Sequence, residues 1–441
     1  DFPAGSVAAP SITFVTDKDT GFFSKAANEI GIACAGTEVG VFSSTGLSSG
    51  FADGSAASPS IFFTSDTNTG LYRPAADNLG FVTGGVERFE IGVTESVFND
   101  PGNDINLRIE GTSDTDLLVV EAGTNRVGIS TGSPSALLDV DGGDALIHGV
   151  SVGRGLGSVA TNTVVGNNAL DANTTGSNNT AIGDETLTAN TTGFQNVAVG
   201  ANALAANTDS ESNVGVGYIA LYANTTGDQN TAVGARALDA NTTADNNTAC
   251  GYNSLSANTT GTKNTAVGSL ALDANTTASN NTAVGYEALE QNTTGTANVA
   301  VGSNAMDGNQ TGDSNTAIGH LAMYENTSAD NNTAVGRSAL YSNTSGTQNT
   351  AVGSFALDAN TTASNSTALG YFTLSAATGS SNTAVGSSSL ALNTTGYENV
   401  AVGAFALDYN TTGIRNTAVG EQALTDSTTS SNNTAVGRSA L

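Results

Sequence analysis

Tryptophan is absent from this chain, and 441 residues hold only two cysteines, two histidines, two methionines and six prolines. With no Trp and aromatics at 6%, a large aromatic core is excluded, and thin layers of Val, Leu and Ala are left to do the burying. Cys34 and Cys250 lie far apart in unrelated contexts, so neither a disulfide framework nor a metal-type Cys/His spacing exists. Basic residues are scarce: 12 Lys and Arg stand against 40 Asp and Glu, a formal net charge of −28. Nucleic-acid binding is excluded on that ground, because no basic patch is present to neutralise phosphates. No apolar run reaches the roughly 18 residues of a transmembrane helix, so no membrane insertion of that kind is expected.

Repetition is what remains. A 17-residue phrase, Asn-Thr-Ala-Val-Gly-x-x-Ala-Leu-x-x-Asn-Thr-Thr-Gly-x-Asn, runs from Asn162 to the last residue, with one 16-residue copy between Ser366 and Asn382. Position five is Gly in every copy, position nine Leu or Met, and position four Val, Ile, Leu or Cys. A fixed period with a fixed apolar phase signifies one small unit stacked many times. Gly and Asn at set places and frequent β-branched residues exclude helix. The fold class that follows is all-β: a parallel β-solenoid of 17-residue coils over residues 162–441.

Within one coil, Thr265-Ala-Val-Gly268 alternates as a strand, with Thr265 and Val267 on one side and Ala266 and Gly268 on the other. A second short strand is expected at Ala271-Leu272, and Asn275-Thr-Thr as the polar corner. This reading places Val233, Leu238, Val267, Leu272, Val284 and Leu289 in a narrow core. Cys250, which fills a Val slot, is expected to be a buried small hydrophobe rather than a functional thiol. Asn at positions one and twelve should stack into amide ladders. The invariant Gly serves a φ > 0 corner or a close backbone approach. A face of Ala and Gly invites neighbouring chains, so a homo-oligomer, expected to be a trimer, follows.

Residues 1–92 carry a second repeat with a spacing of 49. Gly5-Ser-Val-Ala-Ala-Pro-Ser-Ile-Thr-Phe14 matches Gly54-Ser-Ala-Ala-Ser-Pro-Ser-Ile-Phe-Phe63, and Asp17-Lys-Asp-Thr-Gly-Phe-Phe23 matches Asp66-Thr-Asn-Thr-Gly-Leu-Tyr72. Short apolar runs between Asp/Asn-Thr-Gly clusters read as strands and tight turns. Two tandem β modules, 1–49 and 50–92, are expected, followed by a β-rich bridge over 93–161. Asp17/Asp19 and Asp66/Asn68 raise calcium, but the spaced ligand loop with its closing Glu is missing, and hairpin turns are the simpler reading.

No catalytic constellation stands out, and neither a cofactor nor a metal is implied; the chain does not read as an enzyme. His148 and His320 are isolated. Carboxylates recur at position ten (Asp171, Asp239, Asp273, Glu290, Asp307, Asp358, Asp408) and read as an exposed column, whereas glycosidase chemistry needs one pair set apart by environment. Aromatic residues at variable positions are the recognition candidates: Tyr218, Tyr252, Tyr286 and Tyr371 at position six, Phe355, Phe372 and Phe405 at position seven, Tyr222, Tyr324 and Tyr341 at position ten. They could stack on sugars or pack against a neighbouring chain. The Asn-Thr-Thr sequons read as turns, and the regular Thr columns as corner residues rather than an ice-binding array.

The stretch Asn281-Thr-Ala-Val-Gly-Tyr-Glu-Ala-Leu289 resembles the head repeats of trimeric autotransporter adhesins, which are trimeric β-rolls. The order of motifs more closely resembles bacteriophage tail fibres of cyanophage type. There, modules like Pro59-Ser-Ile-Phe-Phe-Thr-Ser-Asp-Thr-Asn-Thr-Gly-Leu-Tyr-Arg-Pro74 precede such repeats, and Arg126-Val-Gly-Ile-Ser-Thr-Gly-Ser-Pro134 is similar to a recurrent fibre motif. The resemblance implies a structural shaft in a virion's tail fibre that supports host attachment. Its implied partners are other copies of itself, other virion proteins at the N-terminal region, and a host surface glycan or protein. The start at Asp1 and the mid-repeat stop lead us to expect a longer gene. A bacterial surface adhesin stalk and a polysaccharide-degrading tailspike are the alternatives.

Overall fold

In the computed structural model the described residues are 3–43, 46–48, 53–92, 96–98, 107–110, 112–113, 116–121, 123–140, 144–157 and 159–441. Every regular element among them is a β-strand. The chain divides into two compact units, Asp1–Gly142 and Gly143–Leu441.

The first unit holds two five-stranded antiparallel meanders with the same construction. Strands Ile12–Phe14, Asp17–Ala26, Glu29–Cys34, Thr37–Ser43 and Gly46–Ser48 pair in chain order, as do Ile61–Phe63, Asp66–Tyr72, Leu79–Thr83, Val86–Ile91 and Ser96–Phe98. The 49-residue spacing is visible atom by atom. The Phe23 ring covers Gly31 and the Tyr72 ring covers Gly80 so closely that a Cβ fits at neither glycine. Asp17 pairs with Phe14, and Asp66 with Phe63, across the first hairpin of each module. A separate four-stranded sheet follows: Leu107–Ile109, Leu118–Glu121, Arg126–Ile129 and Leu138–Val140, its last pair parallel. The expected module boundary at 49/50 and the start of the bridge at 93 lie outside the described residues.

The second unit is the solenoid, a nineteen-stranded sheet. It opens with the hairpin Ala145–Ile147 and Val150–Gly153, which pairs antiparallel with Thr163–Gly166. That hairpin covers the sheet edge from which the coils grow. From Thr163–Gly166 to Thr434–Val436 every pairing is parallel, each strand in register with its counterpart one repeat on, as in Thr265↔Thr282, Ala266↔Ala283 and Val267↔Val284. At about 4.8 Å per strand the stack is about 75–80 Å long.

Three columns almost free of branching at Cβ fill the coil interior. Ala at positions three and eight and Leu or Met at position nine are fully buried, as in Ala266, Ala271 and Leu272. Leu238, Leu272 and Leu289 are therefore core residues, but Val233, Val267 and Val284 are not: they are 39%, 38% and 36% exposed on the outside of the sheet. The alternation is as expected and its inside is reversed. So short a strand lies close to the turn that faces it, and the space between them takes Ala in nearly every coil, with Val164 and Gly215 the exceptions at position three. Cys250, on the same outer column as Val267, is exposed for the same reason. Nor is there a second strand at Ala271-Leu272. That segment is a tight turn, with Leu270 at φ 61° and Leu272 at φ 53°.

Left-handed backbone at Leu is unusual and costs roughly 1 kcal/mol or more per residue. Here it recurs in every coil at positions seven, nine and seventeen. Stacking holds it there: Leu270 N–H donates to Tyr252 O at 2.9 Å and Leu272 N–H to Ala288 O at 3.0 Å, one coil down and one coil up. From Gly183 to Gly420 the position-five glycines combine a φ between +123° and +149° with contact against the next coil. A Cβ on Gly268 would stand 2.2 Å from Gly285 O.

Both expected asparagine ladders are present and buried. At position one, Asn264 Oδ1 accepts from Asn281 N–H while its Nδ2 donates to Ala278 O. At position twelve, Asn275 Nδ2 donates both to Asn258 Oδ1 and to Ala278 O, closing the corner onto its own coil. A third ladder runs beside them. Thr at position thirteen donates its hydroxyl to the backbone carbonyl one coil on, as Thr259 does to Thr276 O at 3.1 Å. Full burial of Asn275 leaves no room for a glycan on the folded coil.

Candidate functional site

Charge and aromaticity are confined largely to the turn side of the coil, because the strand and both ladders use nearly all other positions for packing. Position ten carries an uninterrupted polar column on consecutive coils: Asp239, Ser256, Asp273, Glu290, Asp307, Tyr324, Tyr341 and Asp358. It does not stand in open water as expected. Most of its members are half-buried, and Asp307 is buried with an Oδ1 that has no hydrogen-bond partner. The coil spacing forces like charges together, and the adjoining turns strip away their solvent.

The electrostatic result is a set of carboxyls that hold protons unusually well. Burial, then the neighbouring charges of Asp307, Glu287 and Asp273, raise Glu290 to about 7. Burial also raises Asp239, Asp307, Asp358 and Asp408. Protonated Glu290 can donate to Asp307 on the adjacent coil, which raises the first carboxyl and lowers the second. Elsewhere in the column Ser256 Oγ donates to Asp273 and Arg236 pairs with Asp239 at 3.3 Å. Among the described residues no group of three or more His, Cys, Asp or Glu is arranged to hold a metal.

The aromatic candidates fall into three arrangements. Tyr324 and Tyr341 stack face to face, with ring centroids 5.3 Å apart and planes at 14°, so each covers a face of the other. Phe355, Tyr371 and Phe372 form a cluster, with Phe355–Phe372 at 5.0 Å, Tyr371–Phe372 at 4.7 Å and the Arg337 guanidinium 5.5 Å above Phe355. Tyr218, Tyr252 and Tyr286 are exposed and separate, on alternate coils, with Ala235 and Ser269 between them. Phe405 is exposed and apart from the cluster.

An open cleft of about 550 Å³ lies where the hairpin meets the first coil, lined in part by Asp144, Leu146, Asn168 and Asp171. Asp144 spends both carboxylate oxygens on the backbone N–H groups of Arg154 and Gly155, at 2.6 and 2.8 Å. It is a loop clamp.

The two N-terminal modules leave large apolar side chains exposed at matching places: Ile12 and Ile61, Phe14 and Phe63, Ile30 and Leu79, Phe42 and Ile91. Sequence reading gave these modules no surface of their own. The signal that could have revealed it is the tandem match of bulky residues on alternating strand positions. No helix among the described residues is long and apolar enough to cross a membrane. No family model, curated protein or solved structure matches this chain.

Proposed function

We propose that this chain is the shaft of a phage tail fibre, a non-enzymatic spacer that supports attachment to a host cell. One observation carries the reading. An unbroken parallel stack about 75–80 Å long invests its repeated positions in axial ladders rather than in a pocket. The repeated apolar faces of the N-terminal modules suit attachment to other virion or fibre proteins.

The carboxylates do not favour a tailspike hydrolase. Glu290 and Asp307 are the pair whose proton affinity is most unusual, but Asp307 is buried and faces its neighbours in the column. Host contact is better assigned to Tyr218, Tyr252 and Tyr286, exposed rings about 10 Å apart along the axis and suited to an extended glycan.

Electron microscopy of the purified chain should show rods, and antibodies raised against it should decorate virion tails. Labelling of a bacterial surface instead would favour the adhesin stalk, and a globular particle would sink both readings.

A further inference from the structure

The outer face of the solenoid sheet presents positions two and four of every coil. Position two is Thr or Val throughout, and position four is Val, Ile, Leu or Cys. The face is β-branched apart from Cys250 and Leu369 and carries no charge, in a chain of net charge −28. Parallel sheets are otherwise found with both faces covered. Here the coil covers the inner face, while Val267 and Val284 on the outer one are more than a third exposed.

We propose that this Thr/Val face is an interface with a second copy of this chain. Three features select that occupant. Its side chains recur once per coil along the stack, a pitch that another copy of the same solenoid matches, so the two columns interdigitate over the full length. Its area, about 80 Å by 10 Å or roughly 800 Å² per copy, is that of a standard stable interface. Its neutrality lets two equally acidic chains meet on the one side where they do not repel, whereas a cationic partner would be drawn to the carboxylate columns of the turn side. The Ala and Gly residues from which an oligomer was expected are spent inside the coil and between coils. The pairing holds for any use of the rod, including one outside a virion.

Cys250 lies on this face and provides a native reporter. In a Cys34→Ser background the chain should sediment as a multiple of 43.7 kDa. At a total chain concentration ten times the dissociation constant of a dimer, about a fifth of the chains are free, so maleimide labelling of Cys250 should be about fivefold slower than in the separated chain. Val267→Asp with Val284→Asp places two charges on outward side chains. It should release monomers with unchanged far-ultraviolet circular dichroism and restore fast labelling. A wild-type monomer with freely reactive Cys250 overturns the proposal and leaves the face to an ordered flat surface such as ice. An oligomer whose mass and Cys250 protection survive both substitutions also overturns it.

Discussion

The side-chain amide of Asn275 donates to Oδ1 of Asn258, 2.9 Å away and one coil earlier, while both residues are fully buried. That contact is the repeating bolt of the corner. Asn275→Ala leaves Asn258 Oδ1 without its donor and should cost about 1–3 kcal/mol. Asn275→Asp should cost more at neutral pH despite its matching shape, because it aims an anion at two acceptors, Asn258 Oδ1 and Ala278 O. Thermal melts of both variants would decide this; an aspartate variant as stable as wild type would refute the ladder's role.

Gly268→Ala should be severe, about 3 kcal/mol or more, because its Cβ meets Gly285 O. Gly437→Ala is the control. Its φ of 130° is just as unfavourable, but nothing lies closer than Ala440 Cβ at 3.9 Å. The difference in melting temperature between the two isolates the cost of coil contact from that of the dihedral. Equal losses would mean that the backbone angle alone demands glycine.

Leu289→Ala should cost about 2–5 kcal/mol, and Ala283→Val about 1–3 kcal/mol by overpacking. Val284→Thr, on the outside, should change the melting temperature of a single chain by little. Urea titrations under conditions that keep chains apart would measure all three. A Val284→Thr loss comparable to that of Leu289→Ala would put valine back in the core.

These substitutions mark where the sequence could be read and where it could not. Period, parallel stacking and both asparagine ladders follow from spacing alone, since only a coil of fixed length brings Asn258 and Asn275 together. Alternation assigns Thr265 and Val267 to one side but does not say which side is inside. Hydrophobicity points to valine, and the narrowness of the coil, a tertiary property, chooses alanine. The left-handed backbone at Leu272 is equally hidden, because leucine alone rarely adopts it. The Thr259 ladder is visible as a threonine in every complete coil but the one with Gln310, yet passes for ordinary turn chemistry. In the position-ten column, residue types were legible, but the burial of Asp307 depends on turns whose shape no local pattern encodes.

Acidification should strengthen the solenoid before it weakens it. Glu290 is raised to about 7 in the fold, against about 4.3 for an unperturbed glutamate. Between those values the native state holds a proton that the unfolded chain releases, so stability rises as pH falls through this window. It declines as pH rises through the same window, where Glu290 ionises beside Asp307, Glu287 and Asp273, and above the window this group changes stability no further. The melting temperature should be higher at about pH 5.5 than at about pH 8, and Glu290→Gln should reduce the difference. An identical pH profile in wild type and variant would show that Glu290 is not the group responsible.

The 16-residue coil, Ser366 to Ser381, pairs in register with both neighbours, yet it carries Ser366 and Ala377 where the ladders need asparagine. Asn360 Oδ1 is left buried without a donor, and Asn393 Nδ2 reaches only Gly396 O. The position-twelve column is thus interrupted here, while the position-one column continues through Ser366, whose N–H donates to Asn349 Oδ1 and whose Oγ accepts from Asn382 N–H. Under tension a rod parts where the fewest bonds cross its section. This coil should part first, so that pulling the ends separates the segment after it from the longer segment before it while each remains folded.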